Sequence, residues 1–427
     1  VNITPLKNWL KIQDKFWLTS YILTIILPFG LIFNRSVTEA CVAIIGALFL
    51  LNSFRNKKWE WLLDPVIKIA ISAWVWLLFI SLFAENIPAS FSVGLPWIRY
   101  ILLYAALRNW VLIRTDTIVF LGKILALMMI FVIIDTLWQY IFGISLTGHL
   151  RYDTGRLTGP LDNVKVGIFM AKMLFPIIGI CLFFASKNKN KIAIISSILL
   201  LITAIVTILL AGERTAFAST MIALFSGSFI LAICEKKLRK LLFAGISIIM
   251  LISIILFQTQ DWVQVRAGKF YETIAEFPTT QYGQLVKGGF LVGKDNLKFG
   301  SGLKGFRGLC PNLLASEQVT TCNLHPHNLY IEWFAESGFI GVLLFTSLVC
   351  CLFIAAIKMM IKKKDIDRLL PTFAIMTLIV NFFPFMPTQS IFSNWPAILL
   401  FYSVSVAIAA MNVLNEKKNI IQIVQKI

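Results

Sequence analysis

Apolar runs recur along the whole chain, separated by short basic or Gly/Pro-containing turns. A helix needs about 20 apolar residues to cross the hydrocarbon layer, so the pattern predicts about twelve spanning helices. The first nine fall at about 16–33, 40–54, 62–83, 91–107, 117–142, 164–185, 192–211, 215–233 and 241–257. A mostly polar stretch of about 70 residues follows and reads as one large loop. The tenth span covers about 328–357, and the last two bracket the turn Pro384-Phe385-Met386-Pro387-Thr388. The organisation is then nine helices with short loops over about 1–257, a loop over about 258–327, and three helices with a tail over about 328–427.

Charge orients this pattern. Lys7, Lys11 and Lys15 precede the first span, and further basic clusters follow at Arg55/Lys57/Lys58, Lys187/Lys189/Lys191, Lys236/Lys237/Arg239/Lys240 and Lys358/Lys362/Lys363/Lys364. Each cluster falls on the same side of the alternating spans, so the positive-inside rule puts both termini in the cytoplasm and the large loop outside. Composition agrees, with 58% hydrophobic and 14% charged residues and a mean hydropathy of +0.82. The formal charge of +18 is spent on orientation signals, which excludes a nucleic-acid partner. The first run lacks a cleavage pattern and is read as an anchor. No repeated half is visible, which disfavours a duplicated transporter.

Candidate chemistry concentrates where the loop meets the tenth span. Two of the three histidines, His325 and His327, stand there. Pro326 disfavours helix at His325, so a helix can begin only near His327 or Asn328, with unpaired N–H groups that attract anions. Asn328, Glu332 and Glu336 recur at intervals of four and form a polar stripe, read as the wall of a cavity. The competing reading is a loop-to-membrane junction with its histidines in interfacial water. The orientation also brings Arg156, Arg214, Arg266 and Arg307 to the outer face. Guanidinium forks bind phosphate oxygens in bidentate fashion, so several could hold a diphosphate without a metal. Snorkelling beside Glu213, or plain solvation in a loop, is the blander account of these arginines. A neutral imidazole could take a proton from a sugar hydroxyl, a state that neighbouring arginines and the helix start would favour. The one close Asp pair, Asp365 and Asp367, falls in a cytoplasmic turn, and a His325/His327 zinc site lacks further ligands. Cys310 and Cys322, alone in the outer loop, are expected to form a disulfide. The spans before the tenth carry few ionisable residues apart from Lys68, Lys123, Asp135 and Lys172, which disfavours a flippase or other transporter.

These residues resemble the O-antigen ligase family, which shares a signature with O-antigen polymerases and bacterial protein O-oligosaccharyltransferases. His327-Asn328 with Glu336-Ser337-Gly338 is similar to the family's histidine motif. Gly212-Glu213-Arg214-Thr215-Ala216 is similar to its arginine turn, with Ala218 where the family often has Leu. Arg156-Leu157-Thr158-Gly159-Pro160-Leu161-Asp162-Asn163 resembles its Arg, Gly, Asn segment, and Arg266 and the Gly-rich run at 299–306 follow in order.

The resemblance implies an all-α polytopic glycosyltransferase of the C-superfamily type in the bacterial inner membrane, with a large periplasmic loop and no cofactor. It implies transfer of a glycan from undecaprenyl diphosphate to the lipid A core at the periplasmic face. His327 would be the base, with Arg214, Arg266 and Arg156 on the diphosphate and His325, Arg307 and Gly338 in support. Polymerase or protein-acceptor activity of the same family is the alternative.

Overall fold

The computed structural model describes residues 14–152, 155–235, 239–259, 264–265, 268, 271–272 and 275–414. Lys7, Lys11, Lys236, Lys237, Arg266 and the expected tail from position 415 lie outside the described residues. The bundle begins with α1 (Lys15–Phe33), α2 (Arg35–Asn56), α3 (Pro65–Ser81), α4 (Ile87–Ala106) and α5 (Thr115–Phe142). It continues through α6 (Val166–Lys187), α7 (Lys191–Ala211), α8 (Arg214–Cys234) and α9 (Arg239–Thr259). Two helices absent from the expected pattern follow, α10 (Gln281–Asp295) and α11 (Gly305–Ala315), then α12 (Leu329–Lys362), α13 (Leu369–Phe382) and α14 (Asn394–Ala410).

The expected spans correspond in order to α1–α9 and α12–α14. Eight of the helices are long and apolar enough to cross a membrane: α1, α2, α4 with its continuation to Val111, α5, α6, α7, α8 and α12. The shorter apolar helices are α3, α14 and the middle of α9. The protein is therefore an all-α, multi-pass membrane protein. Local chemistry sets the boundaries. Asn34, Asp64, Asn86 and Asn190 each accept a backbone N–H in the first turn of α2, α3, α4 and α7. Gly143 and Gly212 close α5 and α7 at φ +80° and +79°.

Helix α6 packs against α5, α7, α8, α13 and α14, and α13 is buried at every position except Ile379. Helix α13 is enclosed by α6, α8, α12 and α14.

The stretch read as a loop corrects the sequence expectation. Helices α10 and α11 close a small core in which Leu285, Val292, Phe306, Cys310 and Leu313 meet Ala335 of α12. A disulfide joins Cys310 to Cys322. The glycines that hide α10 in the sequence are what let it approach α12. A Cβ at Gly293 would meet Phe334 at 2.3 Å, and one at Gly289 would meet Ile331 at 2.5 Å.

Helix α12 is broken at Gly338, whose φ/ψ of 68°/−170° suits only glycine. The freed backbone groups find partners in neighbouring chain. Ser301 N donates to Ala335 O and Phe339 N to Leu297 O, both at 2.9 Å. The Trp76 indole N–H donates to Ser337 O at 2.9 Å. Irregular backbone at membrane depth is tolerable only when satisfied by protein in this way.

Candidate functional site

Asn328 caps α12, its Oδ1 accepting from Tyr330 N and Ile331 N at 3.0 and 3.1 Å. The cap forces a sharp entry, so His327 just before it adopts φ +54°. A segment far along the chain holds that conformation. Thr388 N donates to His327 O at 2.8 Å, and His325 Nε2 lies 3.3 Å from Thr388 O. A carbonyl can only accept, so His325 Nε2 carries the proton. The two imidazoles lie with centroids 3.9 Å apart, and Tyr282 of α10 meets His327 edge-on at 5.4 Å.

Burial, then His327 and Arg307, push His325 down to about 3. Burial also holds His327 below the ordinary imidazole value, opposed by the Thr388 backbone. The neutral state expected from arginines and the helix start thus has desolvation as its leading cause. Arg307 is exposed on α11, and its charge reaches His325, Glu332 and Glu336.

The stripe read as a cavity wall is instead a set of clamps. Asn328 Nδ2 donates to Pro384 O at 2.6 Å. Glu332, 2% exposed, accepts from Ile391 N at 3.2 Å. Glu336, equally buried, accepts from Lys304 N at 3.0 Å. The face of α12 that carries them points at two irregular segments, 384–391 and 297–304, and supplies the acceptors those segments lack. Period alone shows which residues share a face, and says nothing about what covers it.

A second group forms where α7 turns into α8. Arg214 is exposed at the first position of α8. Glu213, 3% exposed, turns away to accept from Gly167 N at 2.8 Å and Ile168 N at 3.2 Å, at the start of α6. Anions are favoured at helix N-termini. A Cβ at Gly167 would stand 3.1 Å from the Glu213 side chain, which accounts for glycine there. Burial nevertheless raises Glu213 to about 7, against the Gly167 and Ile168 amides and the charges of Arg156 and Lys165. Leu157 N donates to Ala211 O at 3.1 Å, which sets Arg156 beside the turn. Its Nε is buried without a hydrogen-bond partner.

Residues 388–395 link the two groups, and sequence reasoning missed them. Thr388 braces the histidines and Ile391 meets Glu332. Trp395 then lies under the Lys165 ammonium, 5.3 Å from the ring centroid. Burial, then Arg35, lowers Lys165, against Asp162 and Glu213. Arg99 joins from α4: it donates to Asn394 Oδ1 at 2.8 Å and to Tyr100 Oη at 2.9 Å, and stands 3.7 Å from Glu39. Arg99 corrects the count of ionisable residues within the spans. Its signal was available, since an arginine inside an apolar run calls for a partner. Thr388 acts through its peptide group and left no sequence signal.

Among the described residues, no group of three or more His, Cys, Asp or Glu stands ready to hold a metal ion.

No curated protein matches the chain. The family model for O-antigen ligase matches residues 198–346, a stretch that runs from α7 through the kink of α12 and includes both Arg214 and His327. Over that stretch the chain is similar to the O-antigen ligase family.

Proposed function

We propose that the protein is an O-antigen ligase. It transfers a glycan from undecaprenyl diphosphate to a hydroxyl of the lipid A core at the periplasmic face of the inner membrane, without a metal. One observation carries the reading. A neutral imidazole, His327, and a group of cations around the start of α6 and α8 are joined at one end of the bundle by residues 388–395.

In the proposed step the acceptor hydroxyl gives its proton to His327 Nε2 and its oxygen bonds to the anomeric carbon. The bond from that carbon to the phosphate oxygen breaks, and the diphosphate leaves with the electron pair. Arg214, Arg156 and Arg266 stabilise the charge that develops on it, the largest contribution to the rate. Lys165 and Arg99 extend the positive surface toward α14.

The test is transfer from purified carrier-linked glycan to candidate acceptors, with and without chelator. The wild type should transfer in both conditions and His327→Ala in neither, with the variant still inserted and folded. Full transfer by His327→Ala would refute the base. A deletion strain separates ligase from polymerase: loss of a ligase leaves polymer on the carrier, whereas loss of a polymerase leaves lipopolysaccharide capped by a single repeat.

A further inference from the structure

The proton inventory around His327 can be closed from its neighbours. Leu324 N donates to Asn323 Oδ1 at 2.7 Å, which fixes the amide with its oxygen toward its own backbone. The Asn323 Nδ2 group is therefore what faces His327 Nε2, at 3.2 Å. An amide nitrogen only donates, so Nε2 must present its lone pair and the ring proton of neutral His327 must sit on Nδ1.

Asn323 is itself anchored. It follows Cys322, whose disulfide ties it to Cys310 on α11, and Thr320 N donates to Gln284 Oε1 of α10 at 3.1 Å. The groups facing His327 are thus the His325 ring, Tyr282 from α10, the Thr388 peptide and Asn323, with the Arg307 charge reaching His325 from α11.

We infer that Asn323 is a positioning residue. Its amide selects the Nδ1–H tautomer of His327 and occupies, at Nε2, the place that the acceptor hydroxyl takes when it binds. An incoming O–H group displaces Nδ2 and donates along the same line, so the lone pair is already aimed when the substrate arrives. The inference rests on the proposed role of His327 as base, but its geometry is testable without turnover.

The experiment measures carbethoxylation of His327 by diethyl pyrocarbonate against pH, followed by peptide mass spectrometry on full-length protein in detergent. Wild type, Asn323→Ala and Asn323→Asp are compared, all in a background in which the third histidine of the chain, His149, is replaced (His149→Gln). Only unprotonated imidazole nitrogen reacts. Asn323→Ala uncovers Nε2 and should raise the rate severalfold at neutral pH. Asn323→Asp places an anion beside the ring, stabilises imidazolium, and should move the inflection upward by about one pH unit or more. Equal rates and inflections in all three proteins would overturn the inference. Transfer assays on the same variants keep the two proposals apart. If Asp moves the modification inflection while the acid limb of transfer stays in place, Asn323 sets the tautomer but His327 is not the base. If both move together, both stand. In transfer, Asn323→Ala should lower the acceptor KM more than it changes kcat, because only a placeholder competes with substrate.

Discussion

The two ends of the bundle use buried carboxylates in opposite ways. At the end where α4, α8 and α12 finish and α13 begins, carboxylates pair with guanidinium groups. Glu235 meets Arg368 at 2.6 Å, with side chains 13% and 16% exposed, and Asp64 meets Arg108 at 2.8 Å. At the histidine end, Glu213, Glu332 and Glu336 are at least as deeply buried, yet each accepts hydrogen bonds from backbone N–H groups of another segment. At the first end the partners of these two buried carboxylates are arginines, which they neutralise. At the second the three buried carboxylates hold irregular chain in place instead, while the more exposed Asp162 and Glu39 pair with Arg35 and Arg99.

The largest expected effect breaks that contrast directly. Arg214→Ala should lower transfer by roughly 10²–10³-fold, the usual loss of one group that stabilises developing charge, and leave the thermal midpoint in detergent unchanged. Arg368→Ala should do the reverse, because it strands Glu235 half-desolvated. The cost is about 3 kcal/mol of stability, while turnover per folded molecule is retained. Thermal midpoints and turnover measured on the same preparations decide it. If Arg214→Ala unfolds as readily as Arg368→Ala, its guanidinium is structural and the contrast between the ends is lost.

A smaller effect sharpens the claim about carboxylates. Glu332→Gln keeps an acceptor oxygen for Ile391 N, and should cost little in stability. Glu332→Ala leaves that buried donor unpaired, at about 1–3 kcal/mol. Comparable loss in both variants would mean that the charge of Glu332, rather than its oxygen, holds the 384–391 segment.

The contrast also explains what could be read in advance. Apolar run length reported the spans and basic clusters reported their sidedness, because these are local properties. His327 and Arg214 stood out because ionisable residues are scarce in so apolar a chain. The function of the carboxylates was hidden, since Glu332 and Glu336 serve backbone groups dozens of residues away. Thr388 was hidden for the same reason: its peptide N–H and C=O, present in nearly every residue, do the bracing. Helix α10 was masked by glycines whose purpose is contact with α12, so a residue that weakens a local pattern can be the mark of a tertiary one. Arg99 is legible in the sequence itself, because a guanidinium inside an apolar run needs a partner.

The smallest expected effect is a pH dependence confined to the histidine end. His325 is held at about 3, below its ordinary 6.5, so on opening it binds a proton that the closed state refuses. The closed state is therefore at full strength above 6.5 and loses stability as pH falls from there toward 3. At pH 5 the loss amounts to about 2 kcal/mol if the imidazole is fully solvated on opening, and less if it stays partly covered. Hydrogen exchange should then show amides of 323–328 and 387–391 losing protection between pH 7 and 5 once intrinsic rates are corrected. Amides of 363–369, which have no histidine nearby, should keep theirs. His325→Gln preserves a donor to Thr388 O and cannot titrate, so it should flatten the dependence at the first set without altering the second. A dependence that survives in His325→Gln would assign the linkage to His327, whose value burial also lowers, and would make the catalytic imidazole itself the weak point of this end.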